Sequence, residues 1–224
     1  MKSGDDVSLN EFKWRLDGER FYLYMMGSSK ALKKDKDERQ YFIAIVPPSP
    51  IYEEALQQKE YFKEKYNSKA SLNSPPHITL HMPFKWAEKK EDDLIDELQQ
   101  FANSYAAFRI NLNGFSSFPP RVIFINVEST LELENLQRDL HRYVKRKLNL
   151  FNANYKELPF HPHLTLAFRD LKKPNYQKAW EEFVDKNYQA SFFVNKITLL
   201  KHSGTVWEIF RDFSLKSSEE TQTK

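Results

Sequence analysis

Two stretches decide how this chain reads: Pro76-His77-Ile78-Thr79-Leu80 and Pro162-His163-Leu164-Thr165-Leu166. Each sets a proline, a histidine and, two places on, a threonine among aliphatic residues. Successive side chains of an extended strand point to opposite faces, so His77 and Thr79 share one face and Ile78 and Leu80 the other. The second copy divides in the same way. With the apolar faces on a core and the two strands side by side, two imidazoles and two hydroxyls converge on one cleft.

Such a cleft suits a phosphoryl group. Histidine ordinarily titrates near pH ~6.5, so near neutrality one of a pair can accept a proton while the other donates one. Threonine hydroxyls donate hydrogen bonds to non-bridging phosphate oxygens without adding charge. Acid-base help at the attacking and leaving oxygens of a phosphodiester is worth roughly 100- to 10,000-fold per group. Each triplet alone also reads as an ordinary strand with a satisfied histidine. Six histidines and seven threonines in 224 residues would give about 0.2 such triplets by chance, so a matched pair weighs against the plainer reading.

The paired H-x-T motifs resemble the signatures of the 2H phosphoesterase superfamily, and the chain most resembles its LigT-like branch, the 2'-5' RNA ligase or RNA 2',3'-cyclic phosphodiesterase proteins. The likeness spans residues 41–214. It takes in the opening strand Tyr41-Phe42-Ile43-Ala44-Ile45-Val46, both motifs, the segment from Gly114 through Phe118-Pro119-Pro120-Arg121, and a closing strand through Trp207. The resemblance implies an α+β fold of two similar lobes, each an antiparallel sheet with helices packed outside, around a central cleft carrying the two H-x-T strands. It implies a metal-independent enzyme, without cofactor, that hydrolyses a 2',3'-cyclic phosphate or a 2'-5' phosphodiester of RNA or nucleotides, or runs in reverse as a 2'-5' ligase. His77 and His163 would be catalytic, in either assignment of acid and base, and Thr79 and Thr165 would hold the phosphate. The sequence departs from the LigT pattern in its first 40 residues and in the continuation Leu80-His81-Met82-Pro83-Phe84.

Composition agrees with one sizeable domain. Hydrophobic residues make up 40% and aromatic residues 15%, ample for an aromatic-rich core. The absence of cysteine removes disulfides, a thiolate nucleophile and Cys-ligated zinc, and fits the cytoplasm. No secretory leader opens the chain, and the apolar run at 21–26 falls far short of the ~20 residues of a membrane span. A net charge of +3 permits contact with nucleic acid without arguing for it. The expected partner is an RNA or nucleotide substrate, with no membrane contact, and the chain is expected to be a monomer.

Taken in order, residues 1–40 read as an N-terminal extension. A hairpin around Asp17-Gly18, or with equal weight a disordered leader, leads there into a charged connector at 30–39. A phosphoesterase-like domain follows over 41–216, with a loose polar tail at 217–224. Inside it, strands are expected at 41–46, 77–84, 108–115, 122–127, 163–168, 190–200 and 206–213. Helices are expected at 51–66, with Ser49 as its cap, at 88–105, at 131–148 and from Pro174 to about Asn187. The helix at 51–66 shows an inward stripe of Ile51, Ala55, Leu56, Phe62 and Tyr66. That at 131–148 shows Leu133, Leu136, Leu140, Val144 and Leu148. The second half thus repeats the first in outline.

Further candidates surround the motifs. Strand alternation places His81 on the face of His77, and His161 stands beside His163, so four imidazoles could line the cleft. A zinc site is one reading of that set. The interruption at Pro162 and the lack of a nearby carboxylate ligand argue against it, leaving the outer pair to tune the inner one or to sit at the cleft mouth. Arg121, after the Phe118-Pro119-Pro120 turn, is a candidate phosphate contact, as the resemblance implies, or a solvated loop arginine. Phe84 and Tyr41 could stack on a base, but in a chain this rich in aromatics they read better as core packing. Arg138, Arg142, Lys145 and Arg146 form a basic stripe that reads better as a solvated helix face than as a nucleic-acid track. Five glycines and no Gly-rich loop argue against a P-loop or dinucleotide fold. A non-catalytic RNA- or nucleotide-binding module using the same cleft is the rival from another class.

Overall fold

The computed structural model describes residues 37–151 and 159–217. The expected N-terminal hairpin and the polar tail beyond 217 lie outside the described residues. Among the described residues eight strands and four α-helices follow one another: β1 (Glu38–Ile45), α1 (Ile51–Tyr66), β2 (Ile78–Ala87), α2 (Glu91–Ala102), β3 (Phe108–Phe118), β4 (Val122–Val127), α3 (Leu131–Leu148), β5 (His163–Ala167), α4 (Lys173–Phe183), β6 (Gln189–Val194), β7 (Lys196–His202) and β8 (Trp207–Ser214).

The strands form one sheet in the order β6-β3-β4-β5-β2-β1-β7-β8, with every neighbouring pair antiparallel. Two four-stranded lobes meet edge to edge between β2 and β5, through the single register pair Ile78–Leu164. The second half of the chain does repeat the first, but each half lends strands to the other's lobe. β3 lies beside β4, and β7 lies beside β1. The run at 190–200, read from sequence as one strand, is two strands broken at Asn195. They stand at the first and seventh places in the sheet with one residue between them, so the sheet must curl until its ends approach. Leu215 N–H donates to the Asn195 carbonyl at that seam (2.8 Å).

One face of the sheet and the four helices share the main core. Tyr41, Ile43 and Ile45 of β1, Ile78 and Leu80 of β2, and Leu164 and Leu166 of β5 are buried there. Helix α3 forms where its leucine stripe predicts it. Thr130 caps it by accepting a hydrogen bond from Leu133 N–H, and Leu133, Leu136, Leu140, Val144 and Leu148 are buried. Helix α1 begins after Pro50, and the Ser49 hydroxyl donates to the Glu53 side chain rather than capping the helix. Its buried stripe is Ile51, Ala55, Lys59, Phe62 and Tyr66, so a lysine holds a core position. The two long helices end alike, on Asn67 and Asn149 in left-handed conformation (φ 52° and 54°). Among the described residues, no helix is long and apolar enough to cross a membrane.

Candidate active site

Both motifs turn their histidines and threonines to the opposite face of the sheet, where a cavity lies. Ile78 and Leu164, the middle residues of the two motifs, face each other across β2 and β5 with no exposure to solvent. On an antiparallel register the residue before one faces the residue after the other. His77 is thereby set toward Thr165 and His163 toward Thr79. All four side chains line one cavity of about 220 Å³.

Each imidazole is held in the same way. His77 Nδ1–H donates to the Pro75 carbonyl (2.7 Å), and His163 Nδ1–H donates to the His161 carbonyl (2.8 Å). A carbonyl oxygen can only accept, so Nδ1 carries the proton and Nε2 is the basic nitrogen. A phenylalanine of the adjoining strand lies against each ring: Phe42 against His77 (centroids 4.8 Å apart, tilted 51°) and Phe124 against His163 (5.0 Å, 52°). Burial pushes His77 down to about 3, with the Lys59 ammonium and His163 adding to the effect. Burial likewise pushes His163 down to about 4, opposed by its bond to the His161 carbonyl. Both rings are therefore neutral at pH 7. Among the described residues lining the cavity there is no carboxylate, while Lys59 and Arg169 border it.

The outer histidines part company. Thr79 pairs with Ala44 and His81 with Ile43, leaving Leu80 as an extra residue in β2. A bulge of this kind reverses the alternation beyond it. His81 therefore turns to the helix face, 2% exposed, with its ring 4.9 Å from that of His141 on α3. It does not join the cleft, and the four-imidazole set read from sequence is not assembled. The second motif bulges at the matching place, where Thr165 pairs with Phe124 and Ala167 with Ile123. His161 does line the cavity, edge-on to Phe118 (5.2 Å).

Three other candidates lie elsewhere. Tyr41 is fully buried on the helix face, donates its hydroxyl to Glu91 and stacks on Phe84 (6.0 Å), which itself packs against the core. The cleft-facing aromatic of β1 is its neighbour Phe42, one step along the pleat. Arg121 is half-buried outside the cavity, its Nη1 donating to the Arg169 carbonyl (3.5 Å). Arg169 borders the cavity instead. It sits at φ 55° just beyond β5, with its guanidinium over the Phe168 ring (5.0 Å). The basic helix residues Arg138 and Arg142 pair with Asp139 at the surface.

Sequence reasoning missed several members of the site. His202 and Trp207, from the β7–β8 hairpin, reach the cavity because β7 pairs with β1. Trp207 packs edge-on against Phe42 (4.7 Å) and His202 (4.8 Å). Lys59 reaches it from α1. The segment between α1 and β2 is held by Asp170, three residues past β5. The Asp170 carboxylate accepts from Ser68 Oγ (2.8 Å) and from the backbone N–H groups of Lys69 and Ala70 (2.9 Å each).

Comparison with known proteins places this geometry among relatives. The family model described as the 2'-5' RNA ligase superfamily matches residues 47–206. A Geobacillus kaustophilus protein, carried under the provisional name phosphoesterase, is 32% identical over 177 residues, covering 76% of this chain and 95% of its own. A Bacillus mycoides protein of the same provisional name is 28% identical over 177 residues, covering 77% of this chain and 95% of its own. The fold is similar to that of a Thermus thermophilus protein (TM-score 0.58, 20% identity). It is also similar to that of E. coli LigT complexed with 3'-AMP (TM-score 0.56, 20% identity). Each of these comparisons covers 80% of this chain and 99% of the other.

Proposed function

The chain belongs to the 2'-5' RNA ligase superfamily, and from that premise we propose that it is a phosphoesterase that opens a 2',3'-cyclic phosphate, or cleaves a 2'-5' phosphodiester, at an RNA or nucleotide end. One observation carries the reading. Two histidines from matched strands, each with Nδ1 tied to a backbone carbonyl, line a single cavity that holds no carboxylate among its described lining. One neutral imidazole takes a proton from water as its oxygen bonds to phosphorus. The other, protonated once the substrate's negative charge lies beside it, gives its proton to the ribose oxygen as the phosphorus–oxygen bond breaks. Thr79 and Thr165 hold the non-bridging oxygens where negative charge grows. From a cyclic phosphate the product is a nucleotide 2'- or 3'-monoester. The LigT complex with 3'-AMP supports this choice, since 3'-AMP is one of the two monoesters that opening a cyclic AMP can yield.

Acid and base both come from the chain in this chemistry, and with a 5'-hydroxyl attacking in place of water and the 3'-oxygen leaving, the same ring opening would join two ends as a 2'-5' ligase. The test is turnover of the four 2',3'-cyclic mononucleotides and of 2'-5' dinucleotides, with product regiochemistry read out. Activity should fall by at least ~1,000-fold in His77→Ala and in His163→Ala. Saturable binding without product in the parent protein would instead mark a recognition module.

A further inference from the structure

Lys59 stands where the α1 stripe calls for an apolar side chain, between Ala55 and Phe62, and is 1% exposed. Its Nζ donates to the carbonyls of Ser71 and Ser74 (3.0 Å each), and no carboxylate pairs with it among the described residues. An ammonium has three N–H groups, so one remains, and Lys59 borders the same cavity as His77. With no anion beside it, burial disfavours the charged form and pushes Lys59 down to about 7, a cost the free protein bears. A methionine would fill the stripe without that cost. The two-fold repeat sharpens the contrast. Eight residues before the left-handed cap of each long helix stand Lys59 on α1 and His141 on α3, so a fixed cationic side chain occurs at this place in one repeat only.

We propose that Lys59 is a phosphate-contacting residue of the cleft, an ammonium anchored on the Ser71 and Ser74 carbonyls that offers its remaining N–H to a non-bridging oxygen on the His77 side. The inference deepens the proposed function and rests on it for the identity of the substrate. The missing counter-ion of Lys59 is then the substrate itself, so the desolvation that burial exacts in the free protein is offset when the anion enters. The same ammonium lies close enough to His77 to oppose its protonation while the cleft is empty. The groups facing His77 are Lys59 from α1 and His163 from β5, and neither is an acid.

Inorganic phosphate serves as the probe, with affinity measured by titration calorimetry on the parent, Lys59→Gln and Lys59→Arg. Lys59→Gln keeps neutral donors for the two carbonyls and should weaken phosphate at least tenfold, the loss expected for one charged hydrogen bond. Lys59→Arg keeps the charge and should bind phosphate more tightly than Lys59→Gln. On the parent itself, with lysines labelled at Cε, the Lys59 resonance should move on phosphate addition with the calorimetric Kd. Unchanged affinity in Lys59→Gln, or a Lys59 resonance indifferent to saturating phosphate, would overturn the contact. The two readings can fail separately. Phosphate bound through Lys59 in a protein that turns over no cyclic phosphate leaves the contact standing and removes the proposed function. Turnover with Lys59 indifferent to phosphate does the reverse.

Discussion

Replacing Asp170 by alanine should loosen the cleft from outside it. The Asp170 carboxylate receives three hydrogen bonds of 2.8–2.9 Å from residues 68–70, at the head of the segment that supplies the Ser71 and Ser74 carbonyls and then His77. A bond to a charged acceptor contributes about 1.5–3 kcal/mol when shielded. Asp170 is half-buried, and water recovers part of each bond, so about 1 kcal/mol apiece, or ~3 kcal/mol in all, is the expected loss. For a domain of this size that corresponds to a fall in Tm of about 6–12 °C. Urea unfolding followed by far-UV circular dichroism measures it, with an unchanged slope showing that only stability moved. Because a displacement of about 1 Å at a reacting group can cost ~100-fold in rate, kcat/KM on a cyclic nucleotide should fall by at least tenfold in the folded protein. Asp170→Asn keeps an acceptor and should lie between the two. An Asp170→Ala protein with the parent's urea midpoint and the parent's kcat/KM would refute the idea that this carboxylate fixes the wall carrying His77.

Three further outcomes follow from the same geometry. Thr79→Val and Thr165→Val, each removing one hydroxyl at nearly constant shape, should lower kcat/KM by roughly 10- to 100-fold apiece while leaving Tm within a few degrees. Stability should fall as pH is lowered from about 6.5 toward 4. In that window the unfolded chain binds protons at His77 and His163 that the folded protein refuses, their folded values being about 3 and 4. Melting curves at pH 7 and pH 4.5 should show the drop, and a His77→Gln, His163→Gln double variant should show a smaller one. Turnover should persist undiminished after dialysis against a strong chelator, because the proposed acid and base are both imidazoles; loss of activity restored by one metal ion would speak for the zinc reading.

Legibility in the sequence tracked how local the governing physics is. Helix α3 was readable to its ends because an uninterrupted leucine stripe is a local signal. The H-x-T pairs were readable because alternation holds through the motif itself. It fails one residue later, where Leu80 bulges. Nothing within the first copy marks that bulge, although the second copy hinted at it, since Ala167 stands where His81 does. Tyr41 and Phe84 were offered to the cleft on residue type alone, while the pleat gives that face to Phe42. Lys59 was passed over because a core stripe was sought among apolar residues only, yet its spacing from Ala55 and Phe62 is helical. Arg169, His202 and Trp207 depend on which strands become neighbours. No local pattern announces that β7 crosses to the lobe of β1, or that Asn195 divides one apolar run between two lobes.

The whole reading turns on both imidazoles meeting one phosphorus, and nitrogen-resolved NMR of the histidine side chains, titrated with a nucleoside 3'-monophosphate, observes that meeting directly. The Nε2 resonances of His77 and His163 should shift together with one Kd, and both rings should become easier to protonate as the anion binds. A titration in which one ring responds and the other stays indifferent at saturation would contradict it.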